Sequence, residues 1–162
     1  MNTAQNLLDL LDLPTGDRYD LPASNLRFPD GAQYRLEIPS VGGPAAMQAV
    51  LDEAARRGVV IHRVSQGSGI MLLGNSDLRD MAQMGRDSKV EVCLFVGPRA
   101  PWEGTGQALT PDGKLFGWRH TGMDQLVYAF EDVVRAVDHG IRSILVADEG
   151  LLWLLDQARQ RG

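Results

Sequence analysis

The sequence predicts an α/β protein whose parallel strands and helices form a (βα)4 unit, half of a TIM-type (βα)8 barrel. Three observations support this fold class. Short, almost continuously apolar strand candidates alternate four times with helix candidates, which is typical of parallel strands joined by helical crossovers. Charged residues recur within the strand candidates. A complete barrel needs eight units in about 250 residues, whereas these 162 residues hold four.

The first 33 residues predict a helix and a linker that precede the repeating units. Leucines recur at helical spacing between Asn6 and Leu13, and Pro14 ends that run. Residues 15–33 are rich in Gly, Pro, Asp and Asn and show no period. The chain therefore divides into residues 1–33 and a half-barrel over 34–162.

Each of the four units pairs one strand candidate with one helix candidate. Pro44 suits a first helical turn, and Gly58 suits the residue after a helix. Either Asn75 or Ser76 is the expected N-cap of the second helix, and Thr121 that of the third. Met47, Val50, Leu51 and Ala54 form one apolar stripe, and Leu126, Phe130, Val133 and Val137 form another. The units read YRLEIPS with GPAAMQAVLDEAARRG, VVIHRVS with NSDLRDMAQMGRDS, VEVCLFV with TGMDQLVYAFEDVVRAVDHG, and IRSILVAD with EGLLWLLDQARQRG.

The charges in the strands favour a barrel over the alternative, a doubly wound open sheet. Arg35, Glu37, Arg63 and Glu91 fall within or beside apolar strand candidates. Helices cover both faces of an open sheet, so such charges would be costly to bury there. In a barrel, one face lines the interior, where opposite charges of neighbouring strands can pair.

Composition excludes several classes of function. The net charge is −5 and no basic patch is visible, so nucleic acid is not an expected partner. The single cysteine, Cys93, excludes an internal disulfide and a cysteine-built zinc or iron–sulfur site. No apolar run reaches the roughly 18 residues of a membrane span, and the acidic, leucine-containing N-terminus is unlike a signal peptide. We therefore expect no membrane association and a cytoplasmic location.

The glycine-containing stretch HRVSQGSGIM does not match a nucleotide-binding fingerprint. Gly67 and Gly69 fit the first two positions of G-x-G-x-x-G, but Leu72 stands where the third glycine belongs, and no P-loop motif is present. The alternatives are a ligand-binding loop, with Ser65 and Gln66 as hydrogen-bonding groups, and a plain turn with polar filling.

Ligands of α/β proteins bind at the carboxyl ends of the strands, and the sequence predicts a polar constellation there. Arginine forks suit carboxylates or phosphates, and a buried carboxylate can serve as general base. Each assignment has an alternative: Glu37 and Arg63 as a structural ion pair, Asp148 as a helix cap, and Arg99 as a solvated loop residue. The candidate catalytic residues are Glu37, His120, Asp148 and Glu149, and the candidate substrate-binding residues are Ser40, Arg63, Ser65, Gln66, Arg99 and Trp102.

A long insertion over residues 97–122 predicts a lid over this constellation. Structureless loops beyond about 15 residues are uncommon in compact domains unless they have such a role. LTPDGKLFGW holds a Pro-Asp-Gly turn between apolar flanks, which suggests a small hairpin. His120 is the histidine placed to reach a substrate. The dispersed histidines disfavour a histidine-built metal site, whereas Glu37 with Asp148 or Glu149 is compatible with a divalent cation.

The segments RLEIPSV, HRVSQGSGIMLL, LFVGPRAPW and VADEGLLWLLD resemble bacterial proteins identified as U32 family peptidases. The resemblance covers about residues 30–162 and implies a β/α barrel and a hydrolase acting on a peptide or other small molecule. It assigns no catalytic residue. Some U32-like proteins hold an iron–sulfur cluster through several cysteines, and this chain departs from them in having one cysteine.

Two function hypotheses follow. The first is a barrel-type enzyme, or half of one, that binds a small anionic or polar substrate; its reaction is hydrolysis, or equally a lyase or isomerase reaction. The second is a non-catalytic ligand-binding or assembly module. In either case the four-strand arc has two unpaired edges, so we expect closure by a homodimer or by a missing C-terminal half.

Overall fold

A computed structural model describes residues 3–14, 16–17, 19–99, 108–109, 115–116 and 119–161 of the chain. It divides the chain into two compact units, Met1–Tyr34 and Arg35–Gly162. In the first unit, helix α1 spans Thr3–Leu10. It therefore ends three residues earlier than the leucine spacing predicts.

The second unit contains a four-stranded, all-parallel sheet and four helices, which confirms the α/β class. Its strands are β1 (Glu37–Ile38), β2 (Arg63–Gln66), β3 (Glu91–Val96) and β6 (Ser143–Val146), in that spatial order. Helices α2 (Pro44–Arg57), α3 (Asn75–Ser88), α4 (Met123–Asp138) and α5 (Glu149–Arg161) alternate with them, and a 3-10 turn spans Ile70–Leu72. Strands β4 (Ala108–Leu109) and β5 (Leu115–Phe116) form the predicted antiparallel hairpin.

The two faces of the parallel sheet differ in character. Successive residues of a strand point to opposite faces of the sheet, and residues paired in neighbouring strands point to the same face. One face packs against buried side chains of all four helices α2–α5, among them Met47, Leu78, Ala136 and Leu151. Its apolar strand residues are Ile38, Val64, Val92, Leu94, Val96, Ile144 and Val146. The opposite face carries Glu37, Arg63, Ser65, Glu91, Cys93, Phe95, Ser143 and Leu145.

The sequence predicts some ends of the helices correctly and others incorrectly. Pro44 begins α2, and Gly58 ends it in the left-handed conformation at φ 65°, as predicted. The N-cap predictions are wrong, because Gly74 caps α3, before both Asn75 and Ser76, and Gly122 caps α4, one residue after Thr121. At α3, the Asp77 carboxylate accepts the Gly74 N–H at 2.8 Å, so a side chain inside the helix performs the capping.

The face that α4 buries most deeply is offset from its predicted apolar stripe. Leu126, Phe130 and Val133 are only partly buried, and Val137 is exposed. The fully buried positions are Gln125, Ala129, Asp132 and Ala136. Two polar side chains of α4 therefore face the protein interior.

Candidate functional site

The register of the sheet separates the predicted site residues into two groups at opposite ends. Arg63 is the first residue of β2 and pairs with Glu91, the first residue of β3. Val96, which pairs with Val146, lies five residues further along β3, about 16 Å at the rise of a strand. Residues that follow β3 and β6 are therefore at the far end of the sheet from Arg63.

Glu37 and Arg63 lie at the amino ends of the strands, so their predicted placement at the carboxyl ends is wrong. The apolar run before Arg63 misled the prediction: Val59 and Val60 are exposed and precede the strand instead of forming it. Glu37 consequently cannot share a divalent cation with Asp148 or Glu149. Within the described residues, no group of three or more His, Cys, Asp or Glu side chains could hold a metal ion.

The amino-end charges form a row across the sheet. Arg63 lies 3.0 Å from Glu91 and 3.5 Å from Glu37, and all three side chains are nearly half exposed. The pairing of charges between neighbouring strands, predicted from the sequence, is thus confirmed. Hydrogen bonding to the Ser143 hydroxyl, and the bonding and charge of Arg63, hold the pKa of Glu91 below its ordinary value against the effect of burial.

The carboxyl ends of the strands hold the other described candidates. Ser40 follows β1 at φ 60°, and Ser65 and Gln66 end β2. Arg99 follows β3, and Asp148 and Glu149 follow β6. Trp102 and most of the predicted lid lie outside the described residues. We call this end of the sheet the carboxyl rim.

Gln66 organises the glycine-containing loop. Its buried side-chain amide donates to the Ser68 hydroxyl at 2.6 Å and to the Gly69 carbonyl at 3.1 Å. Its carbonyl oxygen accepts the Gly69 N–H at 3.0 Å. Gly69 has φ 107°, a conformation that favours glycine. The side-chain nitrogen and the side-chain oxygen of Gln66 thus both form hydrogen bonds within the loop.

His120 and Asp148 form a buried pair at the carboxyl rim. The His120 backbone N–H donates to Asp148 Oδ2 at 2.6 Å, and His120 Nδ1 lies 3.4 Å from the same oxygen. Because a carboxylate only accepts, this contact favours the tautomer with its hydrogen on Nδ1, in which Nε2 carries the lone pair. The side chain is 1% exposed, and Nε2 has no hydrogen-bond partner among the described residues. Both residues, with Glu149 and Gly150, line a groove of about 620 Å³.

Asp148 also caps helix α5. Its Oδ1 accepts the N–H groups of Gly150 at 2.8 Å and Leu151 at 3.2 Å. Burial raises the pKa of Asp148, but hydrogen bonds from the backbone of His120, Leu151 and Gly150 and from the His120 ring lower it below its ordinary value. The helix-cap alternative for Asp148 is therefore confirmed, while its catalytic role stays a prediction; its second oxygen contacts His120.

Helix α4 contributes a second polar group that the sequence analysis missed. Its Gln125 side chain accepts the Arg99 backbone N–H at 2.9 Å. Asp132, which is 3% exposed, lies 3.2 Å from Arg99 and 3.0 Å from Arg135. Gln125 and Asp132 lie on one face of the helix with Ala129 and Ala136. An acidic residue among small residues on one helix face was the sequence feature that could have indicated this buried polar group.

A comparison of the chain with known protein families gave no match, and a comparison with curated proteins gave none. The resemblance to U32 family peptidases stays a prediction from the sequence. Across the described part of the chain, the helices lack the length and apolar character that crossing a membrane requires.

Proposed function

We propose that this chain is an enzyme of the β/α-barrel type, or half of one, that acts on a small anionic or polar substrate at the carboxyl rim. The observation that carries this proposal is His120. Its ring is buried and oriented through Nδ1 by a carboxylate, and its Nε2 is left without a partner in the part of the chain that the structure describes. A buried polar atom left unpaired costs about 1–3 kcal/mol, and a ligand group can supply the missing hydrogen bond.

Two features support the half-barrel architecture over a doubly wound sheet. The strands follow one another in chain order, without the reversal of order that marks a doubly wound sheet. Side chains of α2–α5 pack on one face, while the other carries the ion row of Glu37, Arg63 and Glu91. In a barrel the helices form an outer ring, so they all pack on the same face of the sheet.

In the proposed mechanism, His120 Nε2 accepts a proton from a substrate or from a water molecule. In hydrolysis, the reaction implied by the U32 resemblance, water loses this proton as its oxygen attacks the substrate carbonyl. The same nitrogen then returns the proton to the leaving group as its bond to the carbonyl carbon breaks. A lyase or isomerase reaction would use the same nitrogen to remove a proton from carbon. Asp148 holds the ring in the orientation and tautomer that these steps need.

The test uses the full chain and a panel of small dipeptides, N-acyl amino acids and related carboxylic acids, with turnover followed by mass spectrometry. General acid–base catalysis contributes about 10²–10⁴-fold, so His120→Gln should lower turnover by at least about 100-fold. His139→Gln, at the C-terminal end of α4, is the matched control and should retain turnover. Turnover that His120→Gln leaves intact would exclude His120 as the proton-transfer group.

The second candidate function is a non-catalytic assembly module that closes its sheet with a second copy. The edge strands of the sheet, β1 and β6, favour it, and so does Leu145, which is 49% exposed on the face of β6 opposite the core. A two-fold axis along the barrel would pair β6 of each copy with β1 of the other in parallel. Sedimentation should then show a dimer, which Leu145→Asp dissociates. A monomer at all concentrations would refute this candidate.

A further inference from the structure

Within the described residues, two buried side-chain nitrogens have no hydrogen-bond partner, and both belong to the carboxyl rim. They are Arg99 Nε and His120 Nε2. Arg99 lies three residues beyond Val96, and Asp148, the partner of His120, lies two residues beyond Val146. Val96 and Val146 pair in neighbouring strands, which are about 4.8 Å apart, so both segments leave the sheet side by side.

Helix α4 fixes the position of Arg99 through three side chains. Gln125 accepts its backbone N–H, and Asp132 accepts a guanidinium N–H at 3.2 Å. The guanidinium carbon lies 4.5 Å from the centre of the Tyr128 ring, a distance at which a cation and an aromatic face attract each other. The Arg99 side chain is nevertheless 37% exposed. The guanidinium is thus oriented before any ligand arrives, and it is accessible from solvent.

Among the described residues, the local charge balance around Asp132 is positive. One carboxylate, Asp132, lies between two guanidinium groups, those of Arg99 and Arg135. Arg135 also donates to the carbonyl oxygens of Leu73 at 2.6 Å and Ile70 at 2.9 Å, so it holds the glycine-containing loop against α4. Arg135 therefore performs a structural role, and Arg99 carries the surplus positive charge at the surface.

We propose that Arg99 binds an oxyanion, a carboxylate or a phosphate, and that Tyr128 and Asp132 are its positioning residues. This inference rests on the proposed function, since the oxyanion would belong to the substrate on which His120 acts. A guanidinium donates parallel hydrogen bonds to such a group, and its unused Nε–H is one of the donors.

The test follows arginine Nε–H signals by NMR while the full chain is titrated with inorganic phosphate or, separately, with succinate, at constant ionic strength. We expect a saturable shift of the Arg99 signal with one of the two anions. Saturation by phosphate alone assigns a phosphate ligand, and saturation by succinate alone assigns a carboxylate. Arg99→Lys keeps the charge but loses the fork and the Arg99 signal, so its binding is measured by calorimetric titration, and it should be about tenfold or more weaker. Arg159→Lys, an exposed arginine paired with Asp156 on α5, is the control and should bind normally.

The positioning role is tested on the aromatic ring. Tyr128→Phe keeps a ring beneath the guanidinium and should bind the anion as the wild type does, whereas Tyr128→Leu should bind it more weakly. An unchanged Arg135 Nε–H signal in each variant shows that the α4 packing has survived. Equal affinities of the two Tyr128 variants would overturn the positioning role.

Failure of this inference is distinguishable from failure of the proposed function. Absence of saturation by either anion, or equal binding by Arg99→Lys and Arg159→Lys, would overturn the oxyanion site even if turnover depends on His120. Normal anion binding together with turnover that is independent of His120 would overturn the proposed function alone.

Discussion

Replacement of Asp148 separates the two structural tasks that one carboxylate performs. Its Oδ1 accepts two N–H groups of the first turn of α5, from Gly150 and Leu151. Its Oδ2 accepts the backbone N–H of His120 and approaches the ring nitrogen Nδ1. Serine is a strong N-cap but is too short to reach both groups, so Asp148→Ser should keep the cap and lose the His120 contact.

The structure sets the expected magnitudes. An N-cap contributes about 1 kcal/mol, and a hydrogen bond to a charged group contributes about 1.5–3 kcal/mol. Asp148→Ser should therefore lower the free energy of unfolding by roughly 2 kcal/mol, and Asp148→Ala by roughly 3 kcal/mol. Urea denaturation followed by circular dichroism measures both, and the denaturant slope should stay constant. A wild-type midpoint for Asp148→Ser would show that the His120 contact does not stabilise the fold.

The difference between wild type and Asp148→Ser should depend on pH in one direction. Hydrogen bonding to the carboxylate outweighs burial and holds the folded-state pKa of Asp148 below the ordinary value of 3.8. A depressed folded-state pKa contributes stability that is complete above the unfolded value and lost as the pH falls through the folded value. The difference should thus be constant from pH 7 to about pH 5 and shrink below pH 3.8. A gap that persists undiminished in strong acid would contradict the assignment.

Two further predictions concern other parts of the sheet and its helices. Arg63→Met should change the free energy of unfolding by less than about 1 kcal/mol, because the ion pairs of Arg63 are nearly half exposed. Unlike Arg99→Lys, it should also leave anion binding intact, and a loss of anion binding would return Arg63 to the candidate site. Gly85→Ala should destabilise the fold by about 1–3 kcal/mol, because its Cβ would lie 2.8 Å from the Val90 carbonyl oxygen. Gly42→Ala, with no atom within 4 Å of its Cβ, is the matched control in urea denaturation, and equal midpoints would refute this clash.

Much of the fold could be predicted because periodicity and helix-end residues act locally. Pro44 and Gly58 bound α2 through their own backbone preferences, and the VEVCLFV run forms β3 almost as predicted. The N-caps were less predictable. Gly74 and Gly122 occupy those positions without a capping side chain of their own, and tertiary packing decides which residue begins the helix.

The positions of the candidate site residues were predicted correctly only where the ends of their strands were predicted correctly. Asp148 follows a well-placed strand and lies on the carboxyl rim, whereas Arg63 begins its strand and lies at the other end. No local pattern distinguishes an apolar approach such as Val59–Val60 from the strand itself. The sequence analysis missed the polar residues of α4 for another reason. Gln125 and Asp132 are ordinary polar helix residues until the fold brings Arg99 against them.

The two arginine groups of the sheet allow a direct physical comparison. At the amino ends, Arg63 faces two carboxylates, and all three side chains are exposed enough for water to complete their hydrogen bonds. At the carboxyl rim, two arginines share one buried carboxylate, and two buried nitrogens have no partner among the described residues. Solvent water therefore completes the hydrogen bonding of the charges at the amino ends, and no ligand is needed there. Among the described residues, the second has surplus positive charge and an Arg99 Nε–H without an acceptor, and an oxyanion would supply both the negative charge and the acceptor.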